Sequence, residues 1–117
     1  MAIEVANVPR LAWSPLPYDG CRGVDGKVLL ARGDLSIAML RFEEEATIHQ
    51  HPAARDTDVI CPEGRGKTSV GGEQAEIQAG QRVRWPANEN HRLWTEGEEM
   101  LTLMVEHPAA GAAQARS

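Results

Sequence analysis

The chain has 117 residues, of which 42% are hydrophobic and 25% charged, with eleven glycines and seven prolines; this is the make-up of one compact, turn-rich domain and excludes a disordered segment or a two-domain enzyme. Its twelve Lys and Arg are scattered among seventeen Asp and Glu, and the net charge of −5 disfavours nucleic acid as a partner. The longest apolar runs, such as residues 28–31, fall far short of the roughly 20 residues a membrane span needs, and Met1-Ala2-Ile3-Glu4 has neither the basic region nor the apolar run of a secretion signal, so no membrane partner and a cytoplasmic setting are expected.

In chain order, residues 1–10 hold a candidate edge strand, residues 13–18 are too proline-rich for a helix or a central strand, and residues 19–26 read as a turn. Residues 28–31 and 35–42 form a hairpin about Arg32-Gly33-Asp34, in which Leu35, Ile37 and Met39 alternate with Ser36, Ala38 and Leu40. The Arg-Gly-Asp triplet is therefore a turn and not an adhesion motif. Further strands are predicted over residues 47–51, 57–61, 67–70, 75–77, 82–85, 91–95 and 100–106, with turns at Glu63-Gly64, Gly71-Gly72, Gly80, Pro86-Ala87-Asn88 and Gly97. Strands spaced by about 8–12 residues, without sustained helical periodicity, predict an all-β sandwich or barrel. With five aromatic residues in the chain, its core must be mainly aliphatic. Residues 108–117 are Ala-rich and carry no pattern.

Several features have plain structural readings. Cys21 and Cys61 lie forty positions apart, outside any Cys-x-x-Cys pattern, and Cys61 is expected in the core. Gly66-Lys67-Thr68 lacks the first glycine of a phosphate loop, since Cys61 stands in that position. His107 is expected at the surface, and the acidic runs at residues 43–45 and 96–99 in solvated turns.

His49-Gln50-His51 is the feature that points to chemistry. In a regular strand a period of two sends both imidazoles to one face, with backbones about 7 Å apart, where they can converge on one ion. His91 opens another strand after a proline-containing turn. If His91 faces inward, Leu93 and Thr95 share its face, and Arg92 and Trp94 face away.

In this setting the chain resembles the cupin superfamily. Gly80, Pro86 and His91 stand at the separations of the second cupin motif, with Asn88 in place of a glycine and Thr95 in place of an asparagine. His49 and His51 match the first motif, and Glu63-Gly64 its closing turn, but the acid is displaced. Counting forward from His51 gives Asp56, whereas counting back from Gly64 gives Thr57. Strand parity turns Thr57 inward and Asp56 and Asp58 outward; the charge of a divalent ion argues for a carboxylate. Asp56, Asp58 and a site without a carboxylate all stay open, with Asp56 preferred.

The resemblance implies a single-domain cupin-type β-barrel, a jelly-roll-like double-stranded β-helix. Its core spans residues 35–106, with an N-terminal strand and proline- and glycine-rich lead-in over 1–34 and a loose tail over 107–117. It also implies one divalent transition metal (Fe, Mn, Ni, Cu or Zn) on His49, His51, His91 and Asp56. The expected activity is that of a small dioxygenase or isomerase/lyase on a soluble organic molecule, with a non-catalytic binding or sensory role as the alternative. Arg55, beside the uncertain acid, is the arginine placed to meet a substrate carboxylate. Such barrels pair through an added N-terminal strand, so residues 1–8 imply a homodimer.

Overall fold

The computed structural model describes residues 2–108, apart from the side chains of residues 50–52. It is built of eight strands: β1 (Arg10–Pro15), β2 (Arg22–Arg32), β3 (Leu35–Pro52), β4 (Thr57–Val70), β5 (Glu73–Gln78), β6 (Gln81–Trp85), β7 (Asn90–Trp94) and β8 (Met100–Glu106). Residues 109–117, most of the expected tail, lie outside the described residues.

All neighbours are antiparallel, and two long strands close the barrel. The first half of β3 pairs with β8 and its second half with β7. Likewise β4 lies between β6 and β8 at its start and between β5 and β7 at its end. The larger sheet therefore runs β1-β2-β3-β8-β4-β6 and the smaller β3-β7-β4-β5, with β3 and β4 common to both. This is an all-β, jelly-roll-like barrel.

Each shared strand turns its corner at an irregularity. In β4 the register shifts between Ile60 and Glu63; Thr57, Val59 and Cys61 are buried before it, and Gly66 and Thr68 after it. The buried parity changes from odd to even, as a bulge requires. Glu63-Gly64, expected as a chain reversal between two strands, is thus a bend inside one strand. In the same way residues 35–42 and 47–51 belong to a single strand, bent at the acidic residues 43–45, where the register against β2 jumps between Phe42 and Thr47.

The N-terminal expectations need correcting. The edge strand is Arg10–Pro15 and not residues 1–10: an edge tolerates Pro15 because one side of its backbone needs no partner. Residues 22–26, expected in a turn, are strand. Gly26 leaves room there for the side chains packed over it, since a Cβ on it would lie 2.7 Å from a Leu40 methyl and 3.2 Å from one of Leu16.

The core between the sheets holds Val24, Leu40, Phe42, Ile48, Val59, Ile77, Leu93, Met100 and Met104, and also Cys61. Burial pushes the Cys61 thiol up, opposed by its hydrogen bond to the Glu63 carbonyl. The wholly apolar face of β3, carrying Leu35, Ile37 and Met39, points outward, and Ser36, Ala38 and Leu40 look in.

Candidate ligand cavity

A cavity of about 390 Å³ lies between the sheets, a volume within the range of small-molecule sites. Leu40, Ile48, Thr57, Trp85, His91 and Met104 wall it, and Leu16, Pro17 and Tyr18 border it from the loop after β1. A larger depression of about 550 Å³ lies outside, at the strand corners, lined by Asp25, Arg41, Glu43, Glu63 and Glu99 among others. Its acidic surface lacks the enclosing apolar walls of a ligand site, so the barrel cavity is the candidate.

His91, 3% exposed, is the best-fixed polar group of the cavity. Its ring stacks on Trp85 with centroids 4.0 Å apart and planes 11° from parallel. The Trp85 indole N–H donates to Thr68 Oγ1 at 3.0 Å, and the Thr68 hydroxyl donates to the Arg92 carbonyl at 2.9 Å. The turn before His91 is tied down as well. Asn88 takes the left-handed conformation, at φ 69°, that a glycine would supply at this place, and its N–H donates to the Ala53 carbonyl at 2.6 Å.

Asp56 belongs to that turn. Its Oδ1 accepts the Ala87 N–H at 2.8 Å and its Oδ2 meets the Arg84 guanidinium at 2.6 Å. The preferred carboxylate thus faces out of the barrel, and the competing chemical argument loses to strand parity: Thr57 is buried and lines the cavity, with an aspartate turned outward on either side.

Asp58 meets Arg82 at 2.7 Å and His107 Nε2 at 2.7 Å. Burial alone would raise its carboxyl, but the hydrogen bonds from His107 and Arg82, with their charges, outweigh burial and hold it below the usual aspartate value. A lowered carboxyl stabilises the fold fully above the unfolded value of about 3.9, and that share is lost as pH falls through the lower folded value. Urea midpoints at pH 7 and pH 3 are expected to drop less in Asp58→Asn than in the parent; an equal drop would refute the assignment.

The other predicted site residues are spread apart. Arg55 donates from Nη1 to the Asp34 carbonyl and does not line the cavity. His49 is exposed, with its Cβ 2.6 Å from where a Cβ on Gly20 would stand, and its neighbour Ile48 faces the cavity. A bulge accounts for this. Ile48 pairs with Leu93 and His51 with His91, so β3 takes one residue more than β7 over this stretch. The side chain of His51 lies outside the described residues; its backbone position is opposite His91.

Among the described residues no three His, Cys, Asp or Glu side chains gather in a way that could hold a metal ion. The described donors alone therefore do not fit a divalent transition ion, and His51 would have to complete any histidine set.

Trp85 is the cavity-lining residue to which the sequence reading assigned no role. Alternation along β6, with Arg82 and Arg84 exposed and Val83 and Trp85 inside, was the available signal. Trp94 does lie on the face away from the cavity but is buried, covered by the Arg92 guanidinium 4.3 Å from its ring centroid. Its indole N–H donates to Glu96, and this bond, followed by the one from Lys67, holds the Glu96 carboxyl below its ordinary value. Among the described residues no helix is long and apolar enough to cross a membrane.

The fold has many solved counterparts, though no curated protein matches the chain. The polyketide cyclase RemF from Streptomyces resistomycificus is 13% identical, with a TM-score of 0.78 over 90% of this chain and 79% of that one. A cupin 2 conserved barrel domain protein from Rhodopseudomonas palustris is 19% identical, with a TM-score of 0.74 over 84% and 72% of the two chains. KdgF from Halomonas sp. is 17% identical, with a TM-score of 0.71 over 86% and 90%. At such identities the likeness is one of fold. Residues 37–106 match the Cupin domain family, more than half of the sequence and nearly all of the closed barrel, and the chain belongs to the cupin family.

Proposed function

We propose that this cupin binds a small, soluble organic molecule inside its barrel. The observation that carries this reading is the cavity of about 390 Å³ with mostly apolar walls and one rigidly held imidazole, that of His91. Apolar walls with a few fixed polar groups are the usual make-up of a small-molecule site. A polyketide cyclase and a DMSP lyase share the fold, which supports an organic ligand for the barrel. Both cysteines are free thiols, in keeping with a reducing, cytoplasmic setting. A calorimetric screen of phenolic, diketone and thiol compounds is expected to find binders whose affinity falls at least about tenfold in His91→Ala. Binders unaffected by His91→Ala, or a screen without binders, would reject this reading.

Metal-dependent catalysis, as a dioxygenase or an isomerase/lyase, is the second reading, favoured by the register that sets His51 opposite His91. A divalent ion on these two histidines would supply Lewis acidity or a redox centre. Metal analysis of protein purified without chelator or affinity tag tests it, with His51→Ala as the control expected to abolish uptake.

Pairing of two copies belongs to the same proposal. Ile37, Met39, Ile60, Leu103 and Val105 are half-buried on the outer face of the larger sheet, where Met39 pairs with Leu103 and Ile37 with Val105. Ile3 and Val5, 91% and 89% exposed, add apolar surface from the N-terminal segment. Such surface is characteristic of an interface. Sedimentation is expected to show a dimer for the parent and a monomer for Met39→Lys combined with Leu103→Glu; a monomeric parent would exclude pairing.

A further inference from the structure

Five buried threonines can be compared directly among the described residues. Thr47 accepts from Arg92 Nε, Thr68 donates to the Arg92 carbonyl, Thr95 to the Glu43 carbonyl and Thr102 to the Leu40 carbonyl. The fifth, Thr57, is only 5% exposed and is not tied by such a bond among the described residues; its hydroxyl is not one of the fully enclosed polar atoms that lack a partner, so it opens to the cavity. It is also the one of the five that lines the barrel cavity. A hydroxyl open to a mostly apolar cavity is available to bond whatever enters it.

The charges around the cavity narrow the choice of ligand. Asp56, Asp58, Arg82 and Arg84 are engaged in ion pairs on the outside. Arg10 and Glu106 border the cavity but are exposed, and the Lys27 ammonium lies 4.5 Å from the centroid of the Trp13 ring. None of these presents a buried counter-charge to the interior, and a charged group taken in without one is strongly disfavoured.

We infer that Thr57 is the residue that recognises the ligand, and that the ligand is an uncharged molecule with an apolar body and one hydroxyl or carbonyl oxygen that hydrogen-bonds the Thr57 side chain. This rests on the reading of the barrel cavity as the binding site. The apolar body packs on Leu40, Ile48 and Met104, and the flat pair of Trp85 and His91 forms one wall. Threonine suits this role because its hydroxyl serves as donor or acceptor, so one residue accommodates either oxygen type.

The test uses the full chain, with 2-naphthol, naphthalene and 2-naphthoate as calorimetric probes. We expect 2-naphthol to bind more tightly than the other two, Thr57→Val to weaken it about tenfold, and Thr57→Ser to stay within about twofold of the parent. Without ligand, Thr57→Val is expected to melt close to the parent temperature, because the hydroxyl it removes holds no other described residue and the volume is nearly constant. A purely structural threonine would instead lose stability on that change. The inference is overturned if Thr57→Val binds 2-naphthol as the parent does, if it melts several degrees lower, or if 2-naphthoate binds best. Failure of all three probes to bind removes the cavity reading along with it, whereas binding indifferent to residue 57 removes only the role of Thr57.

Discussion

Gly64→Ala is expected to leave little folded protein. Gly64 sits where β4 bends between the two sheets, at φ 84°, in the left-handed region that an alanine enters at a cost. A Cβ there would also lie 2.1 Å from the Glu99 carbonyl oxygen and 2.8 Å from the Met100 Cα. Both are backbone atoms of the segment entering β8, so no side-chain rotation relieves the clash, and the β4–β8 pairing at Gly64 and Met100 must open. The combined cost is about 3–5 kcal/mol, a large share of the stability of a domain this size. Thermal unfolding and soluble yield check it, with Gly33→Ala as the comparison. Gly33 is also left-handed, at φ 57°, but a Cβ there meets nothing within 4 Å, so only the conformational cost of about 1–2 kcal/mol remains. Equal effects of the two substitutions would show that the clash at Gly64 does not matter.

Trp85→Ala is expected to cost about 3–5 kcal/mol and to abolish ligand binding together with it. The indole is 4% exposed, packs in the core and holds His91 by stacking, so its loss leaves a void and frees the imidazole. Trp85→Phe separates the two effects. It keeps an aromatic wall but removes the N–H, and Thr68 still donates to the Arg92 carbonyl, so stability should fall by only about 1–2 kcal/mol. Urea unfolding at pH 7 measures both. A Trp85→Ala protein within about 1 kcal/mol of the parent would mean that the stacked pair does not organise the cavity.

What was legible in the sequence is what depends on regular alternation. The all-β class, most strand positions and the burial of Thr57, His91, Leu93 and Thr95 follow from a period of two, and the structure bears them out. What was hidden depends on the extra residues that break that period. At residues 61–63 and 43–46 they turn a corner within one strand, and local sequence cannot distinguish this from a loop between two strands. Between Ile48 and His51 the same device makes β3 one residue longer than β7, which a strict period of two does not foresee. Asp56 was misleading for another reason: a carboxylate near a histidine motif invites a ligand role, and only the fold shows it holding the Ala87 N–H and Arg84. The Pro15 strand was missed because the tolerance of an edge for proline applies only once the edge is known.

The sharing of β3 and β4 between both sheets also bears on how the chain reaches its native state. Closing the barrel requires Ser36 to find Glu106 and Thr57 to find the same residue from the other side, contacts between segments far apart in the sequence. Local hairpins such as β2–β3 and β4–β5 can form early, but the larger sheet is not complete until β8 is inserted between β3 and β4. Topologies dominated by such distant pairings fold slowly, on the order of milliseconds to seconds. Until then the apolar segment Met100–Glu106 stands uncovered, and β8 governs both the speed of folding and the time during which the chain is prone to aggregate.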